Sequence, residues 1–144
     1  MASFEEAVAT YLTTPDALTA RIGTRAYDSQ LPAFDDPTQA LPAIVFTIVS
    51  RPDEPHFTGY CPETAFEVQI DTYGPTAASR REVAEIVRQR MAVWSGAWGG
   101  IVIRRALKVS DFDNLDGVDD GGPLPTFRNT QRWTVWNRRA PVPV

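Results

Sequence analysis

The sequence predicts an α+β fold, a mostly antiparallel sheet of about four strands packed against two main helices in the order α-β-β-α-β-β. Three observations carry this. Two regions, 4–22 and 76–94, repeat apolar residues at helical spacing behind N-cap signals. Four stretches, at 43–50, 65–73, 101–112 and 126–139, are β-rich or alternate with period two. These strands come in sequence-adjacent pairs separated by a helix, an order that suits hairpins better than parallel crossovers.

Ser3 can cap the first helix, with Glu6 three residues on completing a capping box, and Phe4, Val8 and Tyr11 or Leu12 form its apolar stripe. Thr14-Pro15-Asp16 restarts the chain; Leu18 and Ile22 continue an apolar face that Gly23 ends. A short extended piece, RAYDSQLP, precedes AFDDPTQALP, a proline-rich acidic loop. AIVFTIVS (43–50) reads as a buried strand. RPDEPHFTGYCPE, with three prolines and a glycine, reads as an extended connection or the tip of a long hairpin. In AFEVQIDTY, Phe66, Val68 and Ile70 point to one face and Glu67, Gln69 and Asp71 to the other. The long helix begins at Thr76 or Ser79, presents Val83, Ile86, Val87, Arg90 and Trp94 along one stripe, and turns Arg80, Arg81, Arg88 and Gln89 outward. After SGAWGG, IVIRRALKVSDF is the third strand and DNLDGVDDGGPLP an acidic loop. TFRNTQRWTVWNRR is the fourth strand, with Phe127, Gln131, Trp133 and Val135 on one parity. The whole chain, 1–144, reads as one domain with an extended, proline-spaced tail at 140–144.

Composition narrows the function classes. The 144 residues carry a net charge of −4, which disfavours nucleic-acid binding by the global field. The lone Cys61 allows no intrachain disulfide, and with one histidine the chain lacks a zinc set. No apolar run approaches the ~20 residues of a membrane span, and the N-terminus has no signal-peptide pattern.

The chemical motifs fail one by one. The strand-to-helix junction DTYGPTAAS lacks a dinucleotide or P-loop fingerprint, and Pro75 removes a backbone donor, so it reads as a turn and a cap. Asp111, Asp113, Asp116, Asp119 and Asp120 do not fit an EF-hand, because, counting from Asp111, Leu115 and Asp116 stand at positions five and six, where an oxygen ligand and the glycine belong. His56 has no G-x-S-x-G elbow to serve. The expectation is a protein that is not an enzyme, with no catalytic residue, cofactor or metal. Arg132 and Arg138 share a parity with Thr130, Thr134 and Trp136; an Arg–Trp strand face is a candidate protein interface.

Five strings in this order carry a family likeness across nearly the whole chain: RIGTRAYDSQLP, LPAIVFTIVS, FEVQIDTYGPTAASRREVAEIVRQRM, GGIVIRRALKVSDFD and FRNTQRWTVWNR. The chain resembles the tail terminator (tail completion) proteins of long-tailed bacteriophages, prophages and gene transfer agents. It departs from them in the AFDDPTQA insertion, the DNLDGVDDGGPL loop and the Pro-Val tail. The resemblance implies a virion structural protein that forms a homo-oligomeric ring, commonly a hexamer, at the head-proximal end of the tail. The ring sits on the last ring of tail-tube protein, stops tube growth and offers the surface to which head–tail connector proteins dock. DNA passes through it without specific binding. It implies location in the virion, at the head–tail junction, after assembly in the host cytoplasm. Asp113, Asp116, Asp119 and Asp120 are then candidates for an acidic lumen or partner-facing surface, and Arg132, Trp136, Arg138, His56 and Phe57 for the subunit interface. The alternatives are another neck or head–tail connector component, or a small soluble hydrolase or ligand-binding domain.

Overall fold

The computed structural model describes residues 3–14, 17–23, 25–29, 42–50, 63–98, 101–116 and 126–139. His56, Phe57, Asp119, Asp120 and the 140–144 tail lie outside them, as do the side chains of Asp116 and Arg138. The elements run α1 (Phe4–Leu12), α2 (Ala17–Ile22), β1 (Ala26–Asp28), β2 (Ala43–Ser50), β3 (Glu63–Gly74), α3 (Ala77–Ala92), β4 (Gly96–Trp98), β5 (Ile101–Asp116) and β6 (Thr126–Arg139).

The α+β class holds, but the counts do not. Six strands form one sheet in the order β1-β2-β3-β6-β5-β4, and three helices are present among the described residues, against the expected four and two. The two extra strands are three residues each and sit at the sheet's margins, too short for alternation to show. β1 pairs in parallel with β2; the other neighbours are antiparallel. The strand at 101 also runs on through Asp116, so Asp113 and Asp116 stand on β5 rather than in a loop. Cross-strand pairing with β6 carries it there: Asp113 lies opposite Asn129 and Asp116 opposite Thr126.

Local chemistry fixes the helix ends. Ser3 and Glu6 form the reciprocal capping box of α1. Gly23, at φ +61, receives the chain after α2, donating its N–H to the Thr19 carbonyl. Of the two candidate caps for α3, Thr76 holds the position, and its hydroxyl accepts from the Ser79 N–H at 3.1 Å. The turn into α3 is tight. A Cβ on Gly74 would lie 2.7 Å from the Arg80 nitrogen and 3.0 Å from its Cα, so only glycine lets the helix start this close to the strand.

The core lies between the helices and one face of the sheet. Ile44 and Phe46, then Phe66, Val68 and Ile70, then Trp133 and Val135 meet Val83, Ala84, Val87 and Met91 of α3, all buried. Ile86 packs at the margin. Arg80 and Arg88, expected to face out, keep side chains only 13% and 28% exposed, because each reaches a carboxylate on β5, Asp113 and Asp111 respectively. An aromatic cluster closes the end of the core. Phe4 stacks on Phe66 with centroids 4.1 Å apart, and Tyr11 stacks on Trp94 at 4.6 Å and meets Trp98 edge-on at 4.7 Å. A reciprocal clasp holds α1 beside α3: the Tyr11 hydroxyl donates to the Arg90 carbonyl at 2.5 Å, and Arg90 Nε donates back to the Tyr11 carbonyl at 3.2 Å.

Ile70 is fully buried, so Ile70→Ala should lower unfolding free energy by about 2–5 kcal/mol in a denaturant titration. Gly74→Ala should cost about 1–3 kcal/mol through overpacking at the corner, with Thr76→Ala as the milder control at about 1 kcal/mol.

Candidate interaction surface

β6 divides the sheet into two chemically different faces. On the helix side, Phe127, Asn129, Gln131, Trp133, Val135 and Asn137 follow one parity; Thr130, Arg132, Thr134 and Trp136 follow the other. The helix-side parity contains a polar seam. The Trp133 indole donates to Gln131 Oε1 at 3.0 Å; the Gln131 amide donates to the Ala84 carbonyl of α3 and to Asn129 Oδ1, each at 3.0 Å. Asn129 in turn donates to Asp111 at 2.9 Å and Asp113 at 2.8 Å. Gln131 and Asn129 are almost fully buried, and this chain of bonds satisfies them.

The seam ends in an ion cluster between α3 and β5. Asp111 accepts from Arg88, which also pairs with Glu85 at 2.5 Å, and Lys108 lies 3.3 Å from the same carboxylate. Arg80 reaches Asp113 at 3.6 Å and lies over the Phe127 ring at 5.6 Å. Burial opposes the charge on Asp111, but hydrogen bonds from Arg88, Asn129 and Lys108 outweigh it and hold the carboxyl at about 2. The same hydrogen bond raises Arg88 against the opposing pull of burial. Next to the cluster lies a shallow groove of about 430 Å³, floored by Ala92, Ala106 and Trp133 and rimmed by Arg88, Gln89 and Lys108. This lining has two cations and an apolar floor.

The other face carries no helix among the described residues. Its centre is a cross-strand polar ladder. Arg132 lies 3.5 Å from Glu67 and donates to Gln69 at 3.2 Å; Gln69 donates to Asp71 at 3.0 Å, and Asp71 accepts from Thr130 at 2.6 Å. Asp71 and Thr130 are buried, so this end of the ladder is held firmly. Beside it Arg105 lies over the ring of Trp136, its direct cross-strand neighbour, at 4.2 Å. Towards β5 the face becomes apolar: Leu107 is 52% and Phe112 49% exposed.

Of the residues singled out in the sequence, Arg132 and Trp136 therefore share this face, four residues apart on β6, and Arg138 follows on the same parity. Asp113 lies on the opposite side, in the ion cluster. Leu107 and Phe112 were not anticipated. β5 carries irregularities between Ile103 and Arg105 and between Lys108 and Ser110, and each shifts the alternation by one residue.

No family model and no curated protein matches the chain. Among solved structures, the chain is similar to a chain of the virion of a native gene transfer agent particle, with a TM-score of 0.73 at 14% identity over 94% of this chain and 95% of that one. A second solved chain aligns at a TM-score of 0.51, also at 14% identity, over 96% of this chain and 95% of its own. At that identity the likeness establishes a shared fold along nearly the full length.

The depressed carboxyl of Asp111 sets an acid dependence. Its unperturbed value is 3.8 and its folded value about 2, so its contribution is complete above about pH 4 and is lost as pH falls through 2. That contribution is about 2 kcal/mol. Asp111→Asn should therefore destabilise the fold by roughly that amount at pH 7 and flatten the decline between pH 4 and 2, read from denaturant titrations across that range.

Proposed function

We propose that this chain is a virion structural protein of the tail terminator type. In this reading it forms a homo-oligomeric ring, commonly a hexamer, at the head-proximal end of a phage-like tail, where it ends tube polymerisation and presents a docking surface for head–tail connector proteins. The observation that carries the proposal is the full-length fold likeness to a gene transfer agent virion chain. The ordered strings from RIGTRAYDSQLP to FRNTQRWTVWNR, which resemble the terminator family, are what favours the terminator over other virion parts.

The surfaces suit such a role. A ring subunit needs two different contact patches and no reacting groups. The helix-free sheet face supplies Arg, Trp and apolar side chains, the types that anchor protein interfaces. The chain's net charge of −4 suits a ring through which DNA slides without being gripped, since like charge weakens adhesion to the phosphate backbone. Asp116, the last residue of β5, and Asp119 and Asp120, which follow it in sequence, are candidates for the lumen side. Asp113 serves there less well, because Arg80 and Asn129 already neutralise and bind it.

Because small α+β folds recur among neck proteins, a different connector component is the second reading. Mixing the purified protein with the tail-tube protein of the same particle and imaging the products separates the two. Tubes that stop growing and carry a terminal ring are expected. Unchecked tube growth, with binding to the portal side of the neck instead, would favour the second reading.

A further inference from the structure

We propose that residues 140–144, APVPV, of one copy of this chain add as an edge strand to β5 of the next copy, along Ser110–Asp116. The inference rests on the ring reading above and names the contact that would join neighbouring subunits.

The receiving edge is long and regular. β4 covers the outer side of β5 only from Ile101 to Ile103, and beyond that this side has no strand partner among the described residues. Register shifts at Arg104 and Val109 break the spacing of N–H and C=O groups that an added strand must match. From Ser110 to Asp116 the spacing is unbroken: seven consecutive residues pair in register with Arg132 to Thr126 of β6. Alternate residues of this stretch turn their backbone groups away from β6, which makes it a template for another strand. The opposite margin of the sheet offers no equal. β1 is three residues long and covers β2 at Ile44–Phe46, and the rest of β2 shifts register at Val49.

The strand that fits this edge is written in the sequence. In an extended chain each residue turns its N–H and C=O to the same side, and successive residues alternate. In APVPV proline takes every second place. Extended, the segment therefore carries donors and acceptors along the side of Ala140, Val142 and Val144, while Pro141 and Pro143 leave the other side without a donor. Such a segment completes an edge and cannot extend the sheet further, which is the placement a strand allows proline. Ala140, Val142 and Val144 also share one face. Phe112, 49% exposed on the helix-free face, gives them an apolar neighbour, whereas the opposite face presents Asp111 and Asp113.

Reach selects the copy. β6 runs from Thr126, opposite Asp116, to Arg139, opposite Ile101, so residues 140–144 start from the end of the sheet remote from Ser110–Asp116. Arg132, the partner of Ser110, lies seven residues before Arg139, about 23 Å along the strand. Five residues span at most about 18 Å, and here they must also reverse direction. The segment cannot pair along Ser110–Asp116 of its own chain, whereas a neighbour's can. Each subunit then gives a strand from one patch and receives one at another, the heterologous contact that a ring closes.

The test compares the parent with Val142→Pro, which removes the middle donor and keeps the segment apolar, and with Pro141→Ala/Pro143→Ala, which leaves the pairing side intact. Sedimentation velocity follows each alone over a concentration series and with tail-tube protein, and thermal melts verify folding. Amide hydrogen exchange across 110–116 is read in free and assembled parent. Val142→Pro should associate at least ~10-fold more weakly than the parent with an unchanged subunit Tm, while the double variant associates as the parent does. Assembly of the parent should slow exchange across 110–116. If Val142→Pro assembles like the parent, or if 110–116 exchanges as fast in the ring as in the free subunit, the ring reading stands and this contact is overturned. If the parent remains a single subunit at every concentration and on tube ends, the ring reading and this inference fail together.

Discussion

The structure depends most on the pairing of β3 with β6. Twelve residue pairs, from Glu63–Arg138 to Gly74–Phe127, run without a register break through the middle of the sheet. Because side chains alternate strictly along each strand, this one alignment decides what lies on each side. It places Phe66, Val68 and Ile70 with Trp133 and Val135 beneath the helices, and Glu67, Gln69 and Asp71 with Arg132 and Thr130 on the other side. A slip of one residue would drive the Arg132 ladder into the core and lift the apolar set out. The rest of the sheet can therefore tolerate irregularity: the bulges all fall in the β2–β3 and β5–β6 pairings that flank this ladder.

The polar seam of Trp133, Gln131 and Asn129 follows from the same alignment. Two amide side chains occupy positions that the core would ordinarily fill with aliphatic groups. They are tolerated because each bond is completed, to the Ala84 carbonyl on one side and to Asp111 and Asp113 on the other. Such a seam contributes less net stability than the same volume of hydrocarbon would, but it specifies how α3 sits along β6. Arg88 and Arg80 complete it at the surface, so helix position and the charge cluster are one arrangement.

Much of this was legible in the sequence where a single rule dominates. Ser3 and Glu6 marked the first helix start, Gly23 the end of the second, and the alternation of Phe66, Val68 and Ile70 the buried side of β3. The shared parity of Arg132 and Trp136 was readable too, since β6 is regular. β5 was not readable in the same way. Strict alternation through IVIRRALKVSDF groups Ile103, Arg105, Leu107 and Val109, whereas the paired register sends Ile103 to the helices and Arg105 and Leu107 to the opposite face. A bulge leaves no local mark when its extra residue is an ordinary Arg or Val; only the partner strand reveals it. Arg80 and Arg88 misled for a related reason. Charge suggested exposure, but their carboxylate partners, Asp113 and Asp111, come from a strand more than 20 residues away.

The clasp between Tyr11 and Arg90 joins residues 79 positions apart. At a ribosomal rate of roughly 5–20 residues per second, α1 emerges about 4–16 seconds before its anchor is synthesised. During that interval Phe4, Val8 and Leu12 have neither Trp94 nor the complete sheet to cover them, since β5 and β6 are still to come. Nascent chains translated side by side on one messenger would expose these apolar stripes to one another. The longer that delay, the longer these positions stay uncovered, and transiently exposed apolar surface is what makes nascent chains prone to aggregate.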